Sequence, residues 1–472
     1  MGGGTVHGLR SHARWYARLA IVAVLATAAL TPTRPASTSG DGPSGQLALS
    51  PPGVPLRPPS GIVVRAKSPA DLDRVAAYAR ANGFWVNERA PSLSALRLAA
   101  PDGVSVDAAI AQLDAVDGVA YAEPAYTMMR ADVPADPLYT REAAYLDIER
   151  APDAWGIETG NASTLVAVLD TGIDLTHPDL QGRIWTNARE IAGNGVDDDG
   201  NGCIDDVRGC AFVSDPSPGC TAAHDGAIDD DLGHGTFVTG IIAANANTAG
   251  MVGVARGVTI LPVKVLDCDG AGDSLAVAQG VLYAAKEGAR IVNISLGGPA
   301  DSAILREAVR IAHDDYGVLV VAASGNTGAV GVAYPARYPN VLAVGAAAGD
   351  NPDKRAAFST TGPEIDVVAI GQDIVGTVPK SSCGVFLPCL AAGPYAVGDG
   401  TSFAAPQVTG LVALVLSHTP TLSAASLLGI VKATAHAVPA GDRSDWAGAG
   451  RIDMLQALER QFRLGAPGVT RN

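Results

Sequence analysis

Between Leu165 and Ile370 the chain returns six times to a short run of Val, Ile, Leu and Ala. The runs are Leu165–Leu169, Ile260–Leu266, Ile291–Leu296, Val318–Ala323, Val341–Ala347 and Ile365–Ile370. Each has the length of a strand and is far too short to span a bilayer. A strand with one wet face alternates apolar and polar residues; a continuous apolar run is buried on both faces, as in parallel sheets. Helical patterns fill several of the intervals, for example Ser274 to Glu287 and Ser302 to Asp314. Strands separated by helices pair in parallel, because the crossover returns the chain to the same edge. The expected fold class is therefore α/β, a mostly parallel central sheet with helices on both faces. At 472 residues, 47% apolar and 17% charged, the chain has material for a large core and more than one domain.

Ligands of such sheets bind beyond the carboxyl ends of the strands, and the motifs that carry chemistry fall there. Val166 to Leu169 runs into Asp170-Thr171-Gly172, placing a carboxylate at a strand end. Gly233-His234-Gly235-Thr236 opens an apolar helix, Phe237 to Ala244. Gly400-Thr401-Ser402 opens another, with Val408 to Leu416 as a buried run. A serine at a helix start lies beside free backbone N–H groups and the positive end of the helix dipole. That environment suits a nucleophile whose reaction creates an oxyanion. A nucleophilic serine needs a base, and the base needs an orienting carboxylate. Asp170, His234 and Ser402 supply these groups in one of the known chain orders.

The three motifs, in this order, resemble the subtilisin-like serine proteases, the subtilases. The resemblance extends over residues 60 to 460 and implies a serine endopeptidase with Ser402 as nucleophile, His234 as base and Asp170 as its partner. Val321-Ala322-Ala323-Ser324-Gly325-Asn326 is similar to the family's oxyanion segment, implying Asn326 as a side-chain donor beside the Ser402 N–H. By the same resemblance, substrate backbone is held as an added strand between Gly270-Ala271-Gly272 and Ser295-Leu296-Gly297. Ala323-Ser324-Gly325 would wall the P1 pocket, with Ala333 as its floor. A small uncharged floor implies broad specificity with preference for a large apolar P1 residue. Two rival chemistries fit less well. An esterase of the α/β-hydrolase type wants Gly-x-Ser-x-Gly, whereas Ser402 sits in Gly-Thr-Ser-Phe-Ala. The acid-active relatives that use Glu as base lack a histidine at the His234 position.

Calcium is the expected structural cofactor, and none is expected for catalysis. Residues 194–231 hold ten Asp, and Asp197-x-Asp199-x-Asn201-Gly202 has the alternate spacing of a calcium loop, although Arg208 stands where an EF-hand would have Glu. Separately, the resemblance implies that Asp136, Asp179 and Asn247 occupy the family's strong calcium site. The six Cys all lie after residue 200. In an exported chain they make three disulfides, with 15 possible connectivities. Cys383 and Cys389 can close a small loop; the remaining pairs stay open.

The start of the chain reads as export machinery. Residues 1–18 are basic without an acid, Leu19–Leu30 is a 12-residue apolar run, and small residues and Pro follow. Residues 1–36 are expected to be a signal peptide and 37–59 a linker rich in Pro, Gly and Ser. From 60 to 130 the order β-α-β-β-α-β points to a small two-layer α+β domain of ferredoxin-like type. Before a subtilase body it resembles the inhibitory propeptide. The peptidase domain is expected over 131–462 and a polar tail over 463–472. The net charge of −15 argues against a nucleic-acid partner. The expected partners are protein or peptide substrates and the chain's own propeptide in cis. The expected state is a secreted monomer with no membrane attachment once the signal is gone.

Overall fold

The computed structural model describes residues 61–101, 103–125, 134–438 and 445–464. The expected signal peptide, the linker, the junction between the expected propeptide and peptidase domains, and most of the tail lie outside them. The chain divides into two compact units, with the division at Thr127/Met128.

The first unit runs β1 (Ile62–Ala66), α1 (Leu72–Ala81), β2 (Trp85–Ala90), β3 (Ala95–Ala99), α2 (Val106–Asp114) and β4 (Val119–Pro124). Its sheet has the order β2-β3-β1-β4, antiparallel throughout. Period-two burial in β1 sends Ile62, Val64 and Ala66 inward against Leu72, Val75 and Leu113. Ser105 caps α2 by accepting from the Ala108 N–H. Ser68, ahead of α1, donates its hydroxyl to the Asp71 carboxylate. Trp85 and Tyr121 are exposed on strands of this sheet.

The second unit begins with α3 (Tyr139–Leu146) and α4 (Ala151–Trp155). It continues through β5 (Leu165–Asp170), β6 (Cys210–Ala211), α5 (His234–Ala243), β7 (Thr259–Lys264), α6 (Ser274–Lys286), β8 (Ile291–Ile294), α7 (Ala303–Asp314), β9 (Leu319–Ala323), β10 (Val341–Ala347), β11 (Val367–Ile370), β12 (Ile374–Thr377), β13 (Tyr395–Gly398), α8 (Thr401–His418), α9 (Ala424–Thr434) and α10 (Met454–Leu464). Seven strands form one parallel sheet in the order β11-β10-β9-β8-β5-β7-β6. Every residue of β8, β9, β10 and β11 is buried, so helices cover both faces. All six apolar runs became strands of this sheet. The two-residue β6 and the β12–β13 hairpin were not anticipated; they are too short to carry a period.

The strand order turns around at β5. After β5 the chain adds β7 on one side, then β8 and its successors on the other. The loops after β7 and β8 thus part from one another, and Asp170 ends the strand between them. That is the topological switch point where open α/β sheets bind ligands. Helix α8 is buried along nearly its whole length, with Ser402 the partly exposed residue of its first turn. At Gly410 a Cβ would lie 2.6 Å from the Val254 side chain, so glycine there lets the helix close on its neighbour.

Glu149, between α3 and α4, is wholly buried. One carboxyl oxygen accepts from the Ile370 N–H at 2.8 Å, while Oε2 has no hydrogen-bond partner among the described residues. Burial, against the partial relief of that N–H and Arg451, pushes this acid from 4.5 up to about 8. A folded-state pKa above the unfolded one means stability that is complete at low pH and is lost as pH rises from 4.5 through 8. Glu149→Gln should therefore gain melting temperature relative to the parent as pH rises from 5 to 8. Melting curves whose difference is the same at both ends would contradict this.

Candidate active site

Asp170 and His234 meet because two backbones come very close. Gly233, at φ 115°, turns the chain into α5. A Cβ on Gly235 would lie 2.1 Å from the Gly172 carbonyl oxygen and 3.1 Å from the Asp170 Cβ. Only glycine lets the helix start sit against the strand end. His234 Nδ1 then lies 2.7 Å from Asp170 Oδ1, which also accepts the Thr171 N–H at 2.8 Å. Asp170 is 1% exposed.

A second carboxylate supports this contact, and sequence reasoning missed it. Asp230 is buried and accepts five hydrogen bonds. These come from the Thr171 hydroxyl, the Leu232 and Gly233 N–H groups, and the N–H and hydroxyl of Thr236. It satisfies donors at the start of α5 and ties them to the residue after Asp170. The run Asp229-Asp230-Asp231 just before Gly233-His234 was the available signal, hidden in a segment read as an acidic loop. Buried Lys264 anchors the same run through the Asp229 carbonyl and the Asp231 carboxylate, each 3.1 Å away.

Ser402 occupies the first turn of α8. Its hydroxyl donates to the Ser295 carbonyl at 2.9 Å rather than to the imidazole. A chain of side chains fixes this corner. Thr409 donates to Asn293 Oδ1 at 2.7 Å, Asn293 Nδ2 to the Ser295 hydroxyl at 2.9 Å, and that hydroxyl to the Ser402 carbonyl at 2.8 Å. Asn326 stands across the helix start. Its Oδ1 accepts both the N–H and the hydroxyl of Thr401, each at 2.9 Å. The amide nitrogen is thereby turned outward. A Cβ built on Gly400 would lie 3.5 Å from Asn326 Nδ2 and 3.6 Å from the Ser402 nitrogen. Both nitrogens thus border the same space beside Gly400, where the two oxyanion donors are expected.

The predicted pocket residues also gather. Ala333 donates its N–H to the Ser324 carbonyl at 3.0 Å, and a Cβ on Gly297 or Gly325 would lie 3.0 or 3.5 Å from the Ala333 methyl. Two bare Cα positions therefore face one methyl group. Ala323 ends β9 beside them and Leu296 is partly buried. Gly270-Ala271-Gly272 is an exposed turn beyond β7, held by the Asp267 carboxylate through the Ala271 N–H at 2.9 Å. Ser295-Leu296-Gly297 follows β8. The two segments leave strands on either side of β5.

Among the expected metal residues, Asp136, Asp179 and Asn247 come together. Asp136 Oδ1 accepts the Asn247 N–H and Asp179 Oδ1 the Asn247 amide, each at 3.0 Å. Buried Glu142 joins them; desolvation, with the charges of Asp136 and Asp179, lifts its pKa well above the carboxylate range. In the acidic insertion the expected residues Asp197, Asp199 and Asn201 all hold local backbone N–H groups. Asp197 accepts the Asn201 and Gly202 N–H groups, and Asn201 Oδ1 accepts the Cys203 N–H. The carboxylate oxygens that approach one another, within 4.8 Å, belong to Glu190, Asp199 and Asp206. Glu190 Oε2 is buried without a hydrogen-bond partner among the described residues. The disulfides are Cys203–Cys210, Cys220–Cys268 and Cys383–Cys389.

Residues 161–458 match the model of the subtilase family, Peptidase S8. The chain belongs to the subtilase family. Subtilisin BL of Lederbergia lenta is 40% identical over 286 residues, 61% of this chain and 88% of that one. Thermitase of Thermoactinomyces vulgaris is 34% identical over 328 residues, 69% of this chain and 99% of that one. Among solved structures, a protease from Pseudoalteromonas arctica aligns with a TM-score of 0.57 at 26% identity, covering 70% of this chain and 99% of that one. The subtilase described here is a serine-type endopeptidase.

Burial alone would pull the His234 pKa down. The Asp170 charge and hydrogen bond, with Asp230 behind them, outweigh burial and leave it above the ordinary imidazole range. A base must be neutral to accept a proton, so with His234 as the expected base the acid limb of kcat/KM should follow this group. Asp230→Asn removes a charge that favours the imidazolium form. The limb should move to lower pH, with a melting temperature lowered by the lost acceptors. A pH–rate profile whose limb stays in place or moves upward would refute the role given to Asp230.

Proposed function

We propose that Ser402, His234 and Asp170 carry the peptidase chemistry of a secreted enzyme made as a precursor. The observation that carries this reading is the pair of donors over Gly400, Asn326 Nδ2 and the Ser402 N–H, beside the buried Asp170–His234 contact. On substrate binding the Ser402 hydroxyl turns from the Ser295 carbonyl toward His234 Nε2. Its oxygen attacks the scissile carbonyl carbon while the imidazole takes the proton. The carbonyl electron pair moves onto oxygen and is held by the two donors. The C–N bond then breaks as His234 returns the proton to the leaving amine, and water hydrolyses the ester on Ser402 by the same route. Asp170 holds the imidazole tautomer and stabilises its charged form. Broad specificity with a large apolar P1 residue is supported by Gly297 and Gly325 facing the small Ala333.

The first unit, with its own core and the β2-β3-β1-β4 sheet, supports the reading of a propeptide that the enzyme removes from itself. The basic and apolar N-terminal stretch supports export, and the enzyme acts as a monomer on protein or peptide substrates. Ser402→Ala should accumulate as an uncleaved precursor in a host lacking other extracellular proteases. Normal processing there, read by N-terminal sequencing, would exclude self-cleavage.

Calcium would be held by Asp136 and Asp179 with Asn247 beside them. Hard oxygen donors gathered with the buried Glu142 carboxyl suit a cation of this kind. In the insertion Glu190, Asp199 and Asp206 bring carboxylate oxygens within 4.8 Å of one another, beside the expected Asp197 and Asn201. The ion would neutralise buried carboxylates and fix loops without entering the reaction. A ligand that binds only the folded state stabilises it by about 2.7 kcal/mol at 100 times its Kd. Chelation should lower the melting temperature and speed autolysis, and Asp179→Asn should reduce that response. A melting curve indifferent to excess chelator would count against both loci.

A further inference from the structure

The loop from residue 379 to 390, between β12 and β13, touches the reacting imidazole. Cys383 and Cys389 close it across six positions. Inside the ring, Gly384 N–H donates to the Leu387 carbonyl and Val385 N–H to the Ser382 carbonyl, both at 3.0 Å. The loop is pressed onto the start of α5: a Cβ on Gly233 would lie 3.1 Å from the Ser382 Cβ and 3.5 Å from the Phe386 Cβ. The Phe386 ring then stands edge-on to His234, with centroids 5.6 Å apart at 84°. Phe403, the residue after Ser402, meets the same imidazole at 5.7 Å. Leu387 reaches Phe403 beside Gly398, where a Cβ would be 3.0 Å from Leu387 Cδ1 and 2.7 Å from Phe403 Cε2. At the tip, Val385 is 68% exposed.

The direction of the chemistry decides what this wall faces. The acyl part of a substrate puts its carbonyl over Gly400 and its P1 side chain toward Gly297, Gly325 and Ala333. The departing amine takes its proton from His234, so the residue it carries lies along the imidazole, away from that pocket. The loop meets Gly233, His234, Phe237 and Phe403, and none of the P1 pocket residues. We propose that the disulfide-closed loop walls the subsite for the first residue after the scissile bond, with Phe386 and Val385 as determinants that select an apolar side chain. This rests on Ser402 and His234 acting as assigned above.

The test is acyl transfer by the mature enzyme. An acyl-enzyme formed from a peptide ester is partitioned between water and added Leu, Phe, Gly or Arg amides. Competent sites are counted with a phosphonate titrant, so misfolded protein does not enter the rates. The parent should favour Leu and Phe amides over Gly amide by about tenfold or more, the scale of a filled apolar pocket. Phe386→Ala should flatten that ratio, Phe386→Leu should retain most of it, and Val385→Ser should lower it. The ratios between P1 and between P2 residues in a peptide anilide series should not change. An acceptor preference equal in parent and variants would overturn the proposal. So would a change in the P2 ratio instead, which would place the loop on the acyl side. Failure of the titrant to label Ser402 is a different result, and it would sink the triad reading rather than the loop.

Discussion

The meeting of Gly235 with the Gly172 carbonyl is a matter of tenths of an ångström, and the site is built around it. The approach leaves no room for a side chain at 235. It brings a helix start against a strand end, and from that follow the 2.7 Å contact between His234 and Asp170 and the anchorage of both through Asp230. On the other side of the reacting atoms, α8 plays the corresponding part. Its buried length fixes the helix, and its first turn is pinned by Thr401 to Asn326 and by Ser402 to Ser295. Two helix starts are thereby set together, one presenting His234 and the other Ser402.

The β5 switch point explains why a single strand end can serve both sides. The loops after β7 and β8 diverge there, leaving an open crevice with an exposed turn on one side, at Gly270 to Gly272, and the pocket of Gly297, Gly325 and Ala333 on the other.

Much of this was legible in the residues. The six apolar runs gave the sheet because continuous burial leaves a continuous pattern, and Asp170, His234, Ser402 and Asn326 stood in short motifs. What was not legible depended on side chains reaching across the fold. Asp230 looked like one more acid in an acidic stretch, and only its five donors distinguish it. Asp197, Asp199 and Asn201 have the spacing of a metal loop, but the spacing gave no sign that Glu190 and Asp206 bring carboxylate oxygens to Asp199 from outside it. Glu149 sits in a polar-looking stretch and is wholly buried. The pairing of Cys220 with Cys268, 48 positions apart, had no local signal either.

The three disulfides have a consequence for an enzyme surrounded by copies of itself. A peptidase cuts chain that can be drawn out into an extended strand, so its targets in a folded protein are irregular segments that open locally. Here the long stretch between β5 and α5 and the loop between β12 and β13 are two such irregular segments. Every bridge has an end in one of them: Cys203–Cys210 and Cys220–Cys268 in the first, Cys383–Cys389 in the second. Rings of six and seven positions add little to global stability, since loop-closure entropy grows with span. What they do is forbid the extended conformation where the backbone is otherwise easiest to seize. The cross-links act less as struts of the fold than as guards against the enzyme's own neighbours.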